Sequence, residues 1–144
     1  MPKMSRLALI VAAAIVLTAC RSSDDGGSGA TGTTAPSSDR PSSTAKLSIV
    51  TPKVGEVVHG SSVDLRVKLQ GAKLVPATTT NIVPDEGHLH VILDDTLISM
   101  TQGLEQTIPN VSPGDHRIMV EFVASDHAPF DPRVVSVVAF EVNP

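Results

Sequence analysis

From residue 46 onward the chain alternates. Val63, Leu65, Val67 and Leu69 are separated by Asp64, Arg66, Lys68 and Gln70, the period of two that gives a strand one apolar and one wet face. Similar runs occur at Leu47–Val50, Glu56–His59, Thr96–Met100, Glu105–Ile108, Arg117–Ala124 and Val134–Val142. Between them stand turn residues, among them Thr51-Pro52, Gly60-Ser61-Ser62 and Asp94-Asp95. A loop over Gly71 to Glu86 holds two prolines. The run Gly87-His88-Leu89-His90-Val91-Ile92-Leu93 puts Leu89, Val91 and Leu93 on one face and two histidines on the other. No period of 3.6 appears. The pattern predicts seven to eight strands without crossover helices, hence an antiparallel all-β domain, with Leu65, Val67, Leu93, Ile118 and Val120 in its core.

The strand spacing resembles an immunoglobulin- or fibronectin-III-like sandwich. In bacterial domains of that kind the penultimate strand often follows Leu-x-Pro-Gly-x-Tyr, whose tyrosine bonds back to the corner backbone. Here Val111-Ser112-Pro113-Gly114-Asp115-His116 has that form with histidine in the aromatic place. The resemblance implies a corner role for His116.

Ahead of residue 46 the composition changes. Lys3 and Arg6 precede an apolar run, Leu7 to Leu17, that is short for a membrane span, and Leu17-Thr18-Ala19-Cys20 follows. This resembles the lipobox of bacterial lipoproteins, and it implies cleavage before Cys20 and a lipid on its thiol. The alternatives are an ordinary signal peptide and a retained anchor helix. Cys20 is the chain's one cysteine, so no disulfide forms within it. Residues 20–45 are rich in Ser, Gly, Thr, Pro and Asp, a composition that cannot repay ordering. They read as a tether with a span of about 25–30 Å. The expected organisation is a leader over 1–19, a lipidated tether over 20–45 and a domain over 46–144. It would sit outside a bacterial cell membrane as a lipid-anchored monomer.

Charge and composition narrow the function. Residues 46–144 carry seven Lys/Arg against twelve Asp/Glu, and the chain has three Phe with no Trp or Tyr. An acidic surface without a basic patch argues against nucleic acid, and missing aromatic platforms weaken carbohydrate binding. No Gly-x-Ser-x-Gly elbow or spaced carboxylate pair marks an enzyme.

The histidines are the remaining chemistry. In an immunoglobulin-like sandwich the strand of His88 and His90 is C, and Ser125 to Pro132 forms the F–G loop at the same end. His88, His90 and His127 are then expected to converge, with Asp126 and Glu121 near enough to contribute. His59 and His116 fall toward the other end. Imidazoles suit copper and zinc, and a carboxylate can complete such a site. Solvated strand histidines with no ligand are the plain alternative. Two readings follow: a surface-displayed binding or interaction module with an unknown protein partner, and a copper- or zinc-handling domain.

Lys73-Leu74-Val75-Pro76-Ala77, Gly87-His88-Leu89-His90, Ser112-Pro113-Gly114-Asp115-His116 and Asp126-His127-Ala128-Pro129-Phe130 occur in this order. Together they resemble small exported bacterial domains of unknown function with a Gly-His-His-His or Gly-His-x-His strand. The resemblance covers most of residues 46–144. It implies an exported β-sandwich and brings no activity. Leu89 stands where the triple-histidine form has its middle imidazole.

Overall fold

The alternating segments become strands whose apolar positions meet between two sheets. A computed structural model describes residues 39–77 and 81–144. The leader, Cys20 and most of the expected tether lie outside the described residues. Nine strands follow in order: β1 (Lys46–Thr51), β2 (Val57–His59), β3 (Val63–Gln70), β4 (Lys73–Leu74), β5 (Glu86–Leu93), β6 (Thr96–Thr101), β7 (Glu105–Ile108), β8 (Gly114–Ala124) and β9 (Pro129–Asn143). One sheet runs β1-β3-β7, and the other runs β2-β9-β8-β5. Both β4 and β6 pair with the free edge of β5, at its two ends.

Val63, Leu65 and Val67 of β3 face Leu89 and Val91 of β5, Ile118, Val120 and Phe122 of β8, and Val138, Phe140 and Val142 of β9. Burying each such side chain contributes about 1.5–3 kcal/mol. Of the five core residues expected from the sequence, Leu65, Val67, Ile118 and Val120 are buried and Leu93 is half-buried.

The architecture is the expected all-β sandwich, with two departures. The short strand β4 raises the number to nine, and two short strands pair in parallel, β2 with β9 and β4 with β5. The β2 pairing arises because the chain leaves the first sheet after β1 and joins the second without reversing. Backbone bonds from Gly55 to Ala139 (2.8 Å) and from Glu141 to Glu56 (2.9 Å) fasten that crossing. Strand β4 forms inside the segment expected to be loop. Its neighbours take part too: Lys73 N–H donates to Asp85 C=O and Val75 N–H to Gly87 C=O.

Packing also begins ahead of Lys46, within residues read as tether. Ser43 Oγ and Thr44 N–H both donate to Asp85 Oδ1 at 2.6 Å. Asp131 N–H donates to Pro41 C=O. Arg40 reaches further, as described below.

The corner at His116 has the form its motif implies. Its Nε2 donates to Ser112 C=O at 2.7 Å and its Nδ1 meets Asp94 Oδ2 at 2.6 Å. Both partners are acceptors, so the ring is held as imidazolium. Burial opposes that charge, but the Asp94 and Ser112 bonds and the Asp94 and Asp115 carboxylates outweigh it and raise the His116 pKa. For Asp94 burial likewise opposes ionisation, and the bonds to His116 and Arg117 N–H outweigh it and lower the pKa. The pair therefore stabilises the fold between those two values. Its contribution fades as pH rises through the raised histidine value or falls through the lowered carboxyl value. Asp94 and Asp95 both have positive φ, 47° and 66°, as a two-residue hairpin turn between β5 and β6 requires.

Candidate metal centre

The site starts from a glycine. Gly87 pairs with Ala124 of β8, and a Cβ built on it would lie 1.9 Å from Val123 C=O. Only a residue without a side chain lets β5 press this closely on β8. The next residue, His88, then stands beside Val123 on the outer face of the sheet. His90 follows on the same face, opposite Glu121.

The third histidine comes from the β8–β9 hairpin. Ala124 N–H donates to Ala128 C=O and His127 N–H to Ala124 C=O, both at 3.0 Å. His127 has φ of 66°. This is the three-residue loop that ends in a left-handed residue, where glycine is the easy choice. A histidine there costs about 1 kcal/mol of backbone strain. The turn aims its ring at β5. A hydroxyl bond from Ser125 to Asn81 C=O, 2.9 Å long, ties the preceding long loop to the same hairpin.

The three rings meet at their nitrogens. His88 Nε2 lies 3.1 Å from His90 Nε2 and 3.2 Å from His127 Nδ1, and all three atoms fall within 4.8 Å of one another. The site grades outward: His88 is fully buried, His90 half-buried and His127 exposed. An imidazole nitrogen has one in-plane position, filled by a proton or by a lone pair. His88 Nε2 can therefore direct one good hydrogen bond, yet it has two close neighbours. Its Nδ1 is buried without a hydrogen-bond partner. Protons serve this arrangement poorly, whereas a cation would accept all three lone pairs. Bonds of about 2.0–2.1 Å to a tetrahedral zinc put two nitrogens about 3.3 Å apart, close to the two short spacings.

The electrostatics agree. Burial, helped by the His90 and His127 rings, pushes the His88 pKa down to about 4. Burial and His127 lower His90 as well, against the pull of Glu121. Both rings are neutral near pH 7, the form in which imidazole binds metal.

The two carboxylates read from the sequence as further contributors lie beside the histidines, each held by an arginine. Glu121 accepts a bidentate pair from Arg133, at 2.6 and 2.7 Å. Asp126 accepts a bidentate pair from Arg40, at 2.6 and 3.0 Å, which outweighs burial and lowers its pKa. Arg40 also donates to the carbonyls of Ala128 and Pro129, so it grips the hairpin that carries His127. Glu121 still acts on His90 through its charge; Asp126 holds the loop in shape. His59 pairs with Asn143 and His116 with Phe140, at the far end of β9 from the hairpin. The convergent set is His88, His90 and His127.

Strands β1, β3 and β7 correspond to A, B and E of the immunoglobulin plan, and β2, β9, β8, β5 and β6 to A′, G, F, C and C′. The domain is an immunoglobulin-like sandwich. No family model and no curated protein matches the chain. Among solved structures it is similar to the fibronectin(III)-like modules of CbhA from Clostridium thermocellum, at 21% identity over 67% of this chain and 93% of that one, TM-score 0.47. It is also similar to the PKD domain of a human protein, at 18% identity over 83% and 93%, TM-score 0.43. A third similar structure is a CARDB domain from Pyrococcus furiosus, at 15% identity over 71% and 96%, TM-score 0.40.

Proposed function

We propose that this sandwich binds a transition-metal ion, Cu²⁺ or Zn²⁺, through His88, His90 and His127, outside the cytoplasmic membrane. The observation that carries the reading is the meeting of three ring nitrogens about a partly buried point, with His88 Nε2 3.1 and 3.2 Å from its neighbours. Three imidazole ligands leave a fourth position for water or a partner's ligand. The role is holding or handing on an ion, with no catalysis. Lipid anchoring rests on Leu17-Thr18-Ala19-Cys20, and the intact mass of the mature protein checks it: an unlipidated Cys20 removes the anchor.

Calorimetric titration of the protein with Zn²⁺ and Cu²⁺ tests the site. Binding at micromolar concentration or tighter is expected, with one ion per chain. His88→Ala, His90→Ala and His127→Gly should each abolish it, and His59→Ala should leave it unchanged. His127→Gly is the cleanest variant, since glycine relieves the left-handed backbone and the fold is kept. Equal losses in His59→Ala and His90→Ala would sink the reading.

A second reading, an interaction module without metal, has its own support. Val135 and Val137 of β9 and Leu97, Ile98 and Met100 of β6 are 39–50% exposed, apolar residues on the two strands that flank β8 and β5, of the kind that marks partner surfaces. A protein that binds no metal in the same titration would leave this face as its working surface.

A further inference from the structure

The register of β6 against β5 has a consequence for which metal the cluster takes. A hairpin closed by Asp94-Asp95 pairs Leu93 with Thr96 and Ile92 with Leu97. Continued without interruption, that register would bring Ser99 opposite His90. Instead the pairing slips by one residue between Val91 and Ile92: Ile98 is the extra residue, Val91 meets Ser99, and His90 meets Met100. Paired residues of an antiparallel ladder share a face, with Cβ atoms about 4.5–5.5 Å apart. The bulge thus delivers a methionine to the outer face beside His90. Bulges recur next to functional sites because they re-aim a side chain in this way.

Met100 is unusual company for a ligand cluster. Its side chain is 50% exposed, so the core does not require it. Its thioether sits on an unbranched stem with three rotatable bonds, long enough to swing over a neighbouring strand residue. Ser99, which the uninterrupted ladder would have placed there, faces the other way and donates its hydroxyl to Gln106. The carboxylates that would favour a hard or borderline cation are held by Arg40 and Arg133. A neutral donor set of three imidazoles with one thioether is soft. Thioether sulfur selects cuprous copper and offers little to zinc.

We infer that Met100 is the fourth ligand of the histidine cluster and makes it a site for Cu⁺. The inference rests on the metal-binding reading above and goes beyond it by naming the ligand and the oxidation state. The bound ion would lie on the outer face of the sheet, on the cross-strand row Val135, Glu121, His90 and Met100. A partner docking on that row would meet the metal through its exposed His127 and Met100 sides.

The test compares the full-length protein in detergent with its Met100→Leu variant, a volume-conserving change at an exposed position that keeps the fold. Cu⁺ affinity is measured without oxygen against a chromophoric cuprous chelator, and Zn²⁺ affinity by calorimetry. Met100→Leu should weaken Cu⁺ by about tenfold or more, since even partners outside the ligand set are worth that much, and change Zn²⁺ by less than about twofold. Copper-edge X-ray absorption should show one sulfur scatterer in the wild type and none in the variant. Equal Cu⁺ affinities, or a wild-type spectrum without sulfur, overturn the role of Met100 while leaving the histidine site intact. A wild type that binds neither ion overturns both.

Discussion

Acidifying the metal-free protein from neutrality to about pH 4 is expected to remove about 3 kcal/mol of its folding stability. The cause is His88, fully buried and held at about 4 when an unhindered histidine titrates at 6.5. Between those values the unfolded chain takes up a proton that the folded one refuses, so stability falls as pH falls across that window. The lowered pKa of His90 acts with the same sign. Asp85, Asp94 and Asp126 are held below the usual carboxyl value of 3.8 and lose their contributions only in stronger acid. His116, raised rather than lowered, works at the opposite end of the scale. Urea unfolding followed by circular dichroism at pH 7, 5.5 and 4 measures the slope. A His88→Leu variant removes the proton-binding group and should flatten it. A slope unchanged in that variant would show that His88 does not carry the acid sensitivity.

The second large effect belongs to Gly87. Gly87→Ala should cost about 3 kcal/mol or more, at the upper end of what overpacking does. The added methyl would meet the Val123 carbonyl at 1.9 Å and its carbon at 2.9 Å. Both are backbone atoms in a central strand pair, so no rotamer change relieves the overlap. The strands must separate at the pairing that positions His88, and metal affinity should fall with stability. Gly103→Ala is the control, since its nearest neighbour is the Thr101 side chain at 3.3 Å. Chemical denaturation of the two variants decides the matter, and a Gly87→Ala protein of wild-type stability would refute the close-approach account.

How far the sequence reveals this protein depends on the range of the interactions involved. Alternation in β3, β5 and β8 is local, and it shows on which side each residue lies. Since His88 and His90 share parity, and strands C and F are neighbours in a sandwich, the meeting with His127 is legible before any coordinates. The Asp94-Asp95 turn and the His116 corner are local too. What the sequence hides is competition between distant charges. Glu121 and Asp126 look available beside the histidines, but Arg133 and Arg40, 12 and 86 residues away, hold them in bidentate pairs. The full burial of His88 is hidden as well, because it depends on a hairpin 39 residues downstream. The place of Met100 turns on a one-residue slip at Ile98 that no periodicity announces.

The grip of Arg40 on the hairpin sets how the domain bears load. A pull on the chain from its N-terminal side arrives at Arg40 before it reaches β1 and the ladder to β3. There it meets a bidentate pair with Asp126 and bonds to the carbonyls of Ala128 and Pro129. Those three residues flank His127. Tension along the chain is thus delivered to the frame of one ligand while His88 and His90 stay fixed in a central strand. A tug on the N-terminal side therefore reaches the loop that carries His127 before it reaches the strand ladders.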